Sequence, residues 1–443
     1  MELIQPRLPK GMRDVLPARM VLRQRVLGIV TRTFEEFGFE PLITPAVELA
    51  EILLGKYGAD AEKLIFMVNH PGGKENLALR YDLSVPLSRV VAQYPELPKP
   101  FRRYQIAPVW RAERPQKGRY REFYQCDADI VGSSSMVADA EIIALIYAIL
   151  RRLGFEQFVT TINDRKLLTG LGQYAGVPEA QMPELYRHID KLQKIGIEGV
   201  RDELRKSGLD GPTTDRLVSL LQPDGGAEAA LDELRREMSA FPIAVEGIDE
   251  LKELLAHLPA LGVDRAFYRV DLALVRGLDY YTGPIYETVV EKPRIGSITG
   301  GGRFDGLVGR FSEHSQPATG TTIGIERIID VMEELQMLPP GETLVEVLVA
   351  VFAPGLLSDS LRLLTELRNS GLRCELYYGT NRLGEQIRYA LKKGISFVAI
   401  LGPDELASGQ VAVRDLANKA QNVVPRSEVA ALLRQRLATR NAG

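Results

Sequence analysis

Apolar positions recur at helical spacing over residues 16–38, and the Gly38-Phe-Glu-Pro41 turn leads into a short strand-like Leu42-Ile-Thr-Pro45. Alternating, β-branched and aromatic stretches predict further strands at 78–81, 103–110 and 121–131. The polar loop 111–118 joins the last two, so they read as an antiparallel hairpin with a charged tip. A strongly apolar helix over 137–153 and a strand over 157–162 follow. From about 170 to 261 strand signals vanish, and helical stretches such as 202–207, 227–238 and 248–258 are separated by Gly and Pro breaks. Strands resume at Ala266, which marks the helical stretch as an insertion in a first domain spanning 1–338. Beyond Leu338-Pro-Pro-Gly341 the rhythm becomes strand 345–352, helix 356–370, strand 373–377, helix 382–392, strand 397–401. Strict alternation of this kind predicts a parallel sheet with right-handed crossovers, in a second domain over 342–443.

One stretch admits two readings, a tyrosine pair capping a sheet beside an exposed Arg276 or a ligand-facing cluster. Leu274-Val-Arg-Gly-Leu-Asp-Tyr-Tyr-Thr-Gly283 sets an arginine and two tyrosines on a Gly-bounded segment between apolar, β-rich flanks. It reads as the connection of a β-hairpin, with a donor and two aromatic faces on one concave surface.

Length and composition narrow the classes. A chain of 443 residues, 45% apolar and 26% charged, is globular in composition, with a soft prior of about three domains. Cys126 and Cys374 lie far apart with no C-x-x-C spacing, which argues against a disulfide framework or a structural zinc site and fits a reducing cytoplasm. Prolines near the amino terminus break any signal-peptide core, and no run approaches eighteen consecutive apolar residues, so neither export nor a membrane span is expected. A net charge of −3 supplies no global field for a polyanion, but Lys99, Arg102, Arg103, Arg111, Arg114, Lys117, Arg119 and Arg121 form a local basic patch.

Within that patch, Arg119 and Arg121 are two apart, and Gln125 and Asp129 continue their parity, so all four are expected on one strand face. An anion could meet the arginines while a polar ligand met Gln125 and Asp129. Asp129 sits among Cys126, Ala128, Ile130 and Val131, a setting in which a carboxylate needs a partner. Gly300-Gly-Gly-Arg-Phe-Asp-Gly306 and Gly320-Thr-Thr-Ile-Gly-Ile-Glu-Arg327 form a second pair of segments, with Arg327 just inside a helix. Neither a P-loop nor a G-x-G-x-x-G dinucleotide fingerprint is present.

These residues resemble a known family. Arg111 with its strands resembles motif 2 of the class II aminoacyl-tRNA synthetases, and Gly324-Ile-Glu-Arg327 resembles motif 3. Lys10-Gly-Met-Arg-Asp14, Leu79-Arg-Tyr-Asp-Leu-Ser-Val-Pro86, Gln116-Lys-Gly-Arg-Tyr-Arg-Glu-Phe-Tyr-Gln125, Leu274-Val-Arg-Gly-Leu-Asp-Tyr-Tyr281 and Gly301-Gly-Arg-Phe-Asp-Gly306 are similar to the histidyl-tRNA synthetase subfamily. The resemblance spans nearly the whole chain and implies an α+β fold: an antiparallel-sheet catalytic domain with a helical insertion, plus a C-terminal α/β anticodon-binding-like domain. It further implies histidine activation by ATP with Mg²⁺, transfer to tRNA(His), and a homodimer with residues 22–45 at its interface.

By the same resemblance, Asp82 and Gln125 hold the α-ammonium of histidine, while Asp129, Tyr280 and Tyr281 surround the imidazole. Ser84 stands near Asp82 where the family usually has threonine, and Phe304 replaces a more common tyrosine. Arg111 and Arg276 are the implied catalytic residues, touching both histidine and phosphate. Glu113, Arg119, Arg121 and Arg327 join Arg111 in binding ATP, and Arg114, Gln116 and Lys117 meet the acceptor end of tRNA. No metal-binding cluster is implied. The rival resemblance is the synthetase-like regulatory subunit of ATP phosphoribosyltransferase. It lacks the C-terminal domain and tends to lose the motif residues retained here.

Overall fold

The computed structural model describes residues 3–55, 62–116, 118–221, 226–275, 280–293, 295–337, 343–379 and 382–441. The chain divides into two compact units, Met1–Asp14 with Arg25–Met337, and Val15–Gln24 with Leu338–Gly443.

Eleven strands of the first unit are described: β1 Glu40–Pro41, β2 Val47–Leu49, β3 Met67–Val68, β4 Leu77–Leu79, β5 Phe101–Trp110, β6 Glu122–Val131, β7 Val159–Asp164, β8 Tyr268–Val270, β9 Pro284–Val289, β10 Thr299–Arg303 and β11 Ala318–Ile323. Eight form one sheet in the order β1-β5-β6-β11-β10-β9-β7-β8, antiparallel except for the parallel pairs at its two edges, β1 with β5 and β7 with β8. Strands β2, β4 and β3 form a small separate sheet. Residues 42–45 carry no strand; the extended pieces lie on either side of them, in β1 and β2.

Helix Met136–Arg152 packs on β6, β10 and β11. The Ser135 hydroxyl accepts the Val137 N–H at its start, and Arg151 and Arg152 lie where the helix dipole favours cations. Its Asp139 is wholly buried because Arg303 from β10 meets it there, with Arg303 Nε 3.2 Å from Oδ2. Arg303 also donates to the Ser133 and Ser135 carbonyls at 2.9 and 3.2 Å, so this buried cation has no bare donor face.

The helical region runs from Arg165–Ala175 to Pro242–His257. These two helices approach so closely that a Cβ on Gly170 would lie 2.3 Å from that of Ala244.

The segment 274–283 does not connect a hairpin. β8 pairs with β7 in parallel and β9 pairs with β7 antiparallel, so β7 lies between the two flanks. Strand β7 comes from the far side of the helical region, and hydroxyl contacts lock it to its neighbour: Thr160 Oγ1 lies 2.9 Å from Thr288 Oγ1, and Thr161 donates to the Glu287 carbonyl at 3.0 Å. Pairing across more than a hundred intervening residues leaves no mark in local periodicity.

In the second unit, β12 Val347–Val351, β13 Cys374–Leu376, β14 Phe397–Leu401, β15 Gln410–Asp415 and β16 Ala420–Pro425 give the sheet order β13-β12-β14-β15-β16. Only the first three strands are parallel; β15 and β16 are antiparallel additions. After β14 the chain makes the short helix Pro403–Ser408 and turns at Gly409, φ 66°. A parallel return needs a crossover of a dozen or more residues, and the span between β14 and β15 is shorter, so β15 comes back antiparallel. Both cysteines are buried and neither forms a disulfide, and burial pushes the Cys374 thiol up to about 12.

Candidate active site

Residues two apart on β6 share a face, which places Phe123, Gln125, Asp127 and Asp129 in one row about 20 Å long. Antiparallel register sets Arg103 and Gly320 opposite Asp129, and Gln105 and Thr322 opposite Asp127. Arg103, counted in the basic patch by sequence, is fully buried: β alternation turns it inward, where Nη2 lies 2.7 Å from Asp129 Oδ2 and 3.1 Å from the Leu83 carbonyl. This is the partner that the apolar surroundings of Asp129 demanded. Gly320 is glycine for a steric reason. A Cβ there would stand 2.0 Å from Asp129 Oδ1.

The row floors a cavity of about 420 Å³ in the first unit. Asp82 and Ser84 enter from the segment that opens helix Ser84–Gln93; Asp82 Oδ1 accepts the Val85 N–H at 3.0 Å, which fixes the carboxylate at the helix start. Tyr280 hydrogen-bonds Ser84, packs on Tyr281 with ring centroids 4.9 Å apart, and meets Phe304 edge-on at 6.0 Å. Burial holds the Tyr280 phenol well above its ordinary range, so it enters chemistry as a neutral hydroxyl. Gln125 Nε2 donates to Thr322 Oγ1 at 3.4 Å, and Thr322 in turn hydrogen-bonds Asp127.

At the other end of the row stand the arginines. Arg111 donates to the Tyr81 carbonyl at 3.1 Å, and its guanidinium lies over the Tyr81 and Phe123 rings at 4.4 and 5.2 Å. Arg327, on the first turn of helix Ile325–Glu334, donates to the Gly118 and Ser297 carbonyls. Arg119 reaches Glu113 at 3.1 Å, and both line the cavity. Arg13 pairs with Glu326 and lies 3.7 Å above the Tyr120 ring, tying the amino-terminal segment to this rim. Gly11, φ 84°, allows that approach, since a Cβ there would come within 2.6 Å of Pro115.

Two expectations about this rim require correction. β6 begins at Glu122, so Arg119 and Arg121 do not share the strand face of Gln125 and Asp129; Arg119 belongs to an isolated bridge with Gln116. Arg121 is drawn away from the cavity to the carbonyls of Glu113 and Lys10, at 3.1 and 3.4 Å. Arg114 and Gln116 are exposed on the loop. Arg276 and Lys117 lie outside the described residues.

Asp127 was not singled out from sequence, yet it lines the cavity. The same two-residue step that selected Gln125 and Asp129 passes through it. Burial and the Asp129 charge push its carboxyl up to about 8, against the opposing pull of Arg103 and Thr322. Asp129 is also raised by burial, to about 6, but the adjacent Arg103 holds it down.

This cavity can sort a ligand by charge along its length: carboxylates and an amide at one end, guanidinium groups at the other. The chain also resembles known proteins over nearly its whole length. Residues 11–328 match the family described as histidyl-tRNA synthetase, and 346–436 match an anticodon binding domain. The chain is 43% identical to a histidine–tRNA ligase of Gloeobacter violaceus, covering 96% of this chain and 98% of the relative. It is 44% identical to that of Aeropyrum pernix, covering 96% and 97%. The crystal structure of histidyl-tRNA synthetase from Nostoc sp. PCC 7120 superposes with a TM-score of 0.86 at 33% identity, covering 98% of this chain and all of that one. The eight-stranded sheet is thus the class II synthetase sheet, and with likeness of this degree along nearly its full length the chain belongs to the histidyl-tRNA synthetase family.

Proposed function

We propose that this chain is a histidine–tRNA ligase that forms histidyl-adenylate from L-histidine and ATP and then transfers histidine to the 3′ end of tRNA(His). The observation that carries the reading is the polarity of the cavity along β6. Asp129, Gln125 and Asp82 are buried acceptors suited to the N–H groups of an imidazole and an ammonium, while Arg111, Arg119 and Arg327 are donors suited to phosphates.

Asp82 and Gln125 hold the ammonium; Asp129, Tyr280 and Tyr281 enclose the imidazole, with Ser84 orienting Tyr280. Arg111 and Arg276 act on the histidine carboxylate and the α-phosphate; Glu113, Arg119 and Arg327 hold the rest of ATP. Arg121 braces the loop and supports the ATP site from behind. The carboxylate oxygen attacks the α-phosphorus in line and pyrophosphate leaves. The 3′-terminal ribose hydroxyl of tRNA then attacks the carbonyl carbon and AMP leaves. Both steps ask for alignment and charge neutralisation rather than a protein nucleophile.

Glu113 and Glu287 are cavity carboxylates that would hold a Mg²⁺ ion accompanying ATP, which would supply charge neutralisation at the phosphates.

Arg114, Gln116 and Lys117 meet the acceptor end of tRNA, and the second unit meets the anticodon. The catalytic domain is taken as 1–338, with the helical insertion at about 170–261, and the anticodon-binding domain as 342–443. A homodimer with residues 22–45 at its interface follows from the family likeness. A cytoplasmic location fits this activity, and no described helix is long and apolar enough to cross a membrane.

A non-catalytic histidine sensor is disfavoured. A Bacillus halodurans protein described as an ATP phosphoribosyltransferase regulatory subunit/histidyl-tRNA synthetase is only 23% identical, and that likeness supports the fold alone. The relatives at 43 and 44% identity are ligases. Histidine-dependent exchange of pyrophosphate into ATP tests the reading, with Arg276→Ala as the control. Folded protein that gives no exchange, or Arg276→Ala at wild-type rate, overturns it.

A further inference from the structure

Three carboxylates, Asp82, Asp127 and Asp129, line the end of the cavity assigned above to the amino acid, although the family resemblance uses only two of them. Asp127 is 3% exposed and sits between Gln125 and Asp129 on the same strand face. Its Oδ1 is buried without a hydrogen-bond partner, as is Gln125 Oε1. The chain of contacts from Gln125 through Thr322 to Asp127 orients both: with the amide N–H spent on Thr322, the Gln125 oxygen remains an acceptor.

The described cations nearest Asp127 are spent on other partners. From β5 comes Arg103, already paired with Asp129. β6 contributes Asp129 itself and Gln125, and β11 contributes Thr322. The segment before helix Ser84–Gln93 contributes Asp82 and, farther off, Arg80, whose guanidinium is spent on the Thr44 and Pro108 carbonyls at 2.7 and 2.9 Å. Tyr280 adds only a neutral phenol. Among the described residues Arg103 is thus shared by Asp127 and Asp129, with its Nη2 taken by Asp129, and a buried carboxylate left without a cation of its own is costly to keep ionised.

We propose that Asp127 is a further amino-acid-binding residue, forming with Asp82 and Gln125 the seat of the ligand's ammonium, so that histidine binding expels a proton from the pocket to solvent. The balance is simple: the Asp127 carboxyl loses its proton to buffer, and the incoming ammonium becomes the counter-ion of the resulting carboxylate. The proposal rests on the assignment of this end of the cavity to histidine. With its carboxyl pushed up to about 8 by burial and the Asp129 charge, Asp127 is mostly protonated at neutral pH. Linkage then makes the affinity for histidine rise about fivefold from pH 7 to pH 8, if the ammonium holds the bound form ionised.

The test is calorimetric titration of the whole protein with L-histidine at pH 7.5 in buffers of different ionisation enthalpy, beside Asp127→Asn. Release of more than about half a proton by the wild type, falling to near zero in Asp127→Asn, supports the proposal. Binding by the wild type with no buffer-dependent heat overturns it, whether or not the variant folds. So does undiminished release from Asp127→Asn, which would place the proton elsewhere. No binding of histidine in any buffer would refute the functional reading above, and this inference with it, a result distinct from binding without release.

Discussion

Gly320→Ala probes the amino-acid end of the cavity with one added methyl. On the existing backbone its Cβ would lie 2.0 Å from Asp129 Oδ1, 2.6 Å from Asp129 Cγ and 2.8 Å from the Ala128 carbonyl oxygen. A carbon and an oxygen in contact need about 3.3 Å, so the carboxylate must withdraw by at least ~1.3 Å, and β6 and β11 must part by ~0.5 Å. Asp129 has nowhere to withdraw without disturbing its 2.7 Å pair with the fully buried Arg103. Overpacking at such a site costs about 1–3 kcal/mol, and displacing a ligand-positioning group by 1 Å costs about 10² in rate. Gly320→Ala should therefore fold, lose about 1–3 kcal/mol in urea denaturation, and show kcat/KM for histidine in pyrophosphate exchange reduced about 100-fold. Its KM for ATP should stay within about threefold, because the arginine rim stands at the far end of β6. A variant with wild-type histidine kinetics would show that Asp129 does not contact the amino acid. An equal rise in KM for both substrates would show general disruption in place of local displacement.

Asp139→Ala should lower stability by about 3–5 kcal/mol in denaturant titration, since it leaves the Arg303 guanidinium buried without its main anion; a loss under about 1 kcal/mol would mean Asp305 alone suffices. Arg327→Ala should raise KM for ATP at least tenfold while leaving histidine affinity, read by calorimetry, unchanged; a parallel loss of histidine affinity would contradict the division of the cavity. An Asp ionises near 3.9 when unfolded, while folded Asp127 does so at about 8, so the folded state binds the additional proton in this window and the wild type loses stability as pH rises through it. Asp127→Asn has no such proton to lose, so it should gain on the wild type by more than about 1 kcal/mol between pH 5 and 8 in urea denaturation, and equal pH slopes would contradict the assignment.

Local signals carried the elements whose causes are local. The apolar helix Met136–Arg152 and the hairpin of β5 and β6 follow from periodicity and turn chemistry within single stretches of chain. Their limits moved by a few residues, because the ends depend on caps such as Ser135. The hairpin proposed around residues 274–283 failed for a different reason. β8 and β9 are adjacent in sequence, but β7 occupies the position between them. The hairpin β15–β16 lies beyond the alternating pattern that ends at 401, and the short helix Pro403–Ser408 turns the chain back into it.

The residues of the cavity divide in the same way. Motif likeness gathered Asp82, Arg111, Gln125, Asp129 and Arg327 before any coordinates, and the folded chain brings them to one cavity. Sequence spacing could not show that Arg103 points inward to pair with Asp129, that Arg121 turns away to the Lys10 carbonyl, or that Asp127 and Asp129 share the Arg103 guanidinium. The amino-acid sequence by itself determined family, element types and the inventory of charged groups, since these depend on residue identity and short-range pattern. Tertiary structure alone decided which charges are buried together, because the cost of an ion and the sign of its pKa shift depend on partners that lie across the sheet and are remote in the chain.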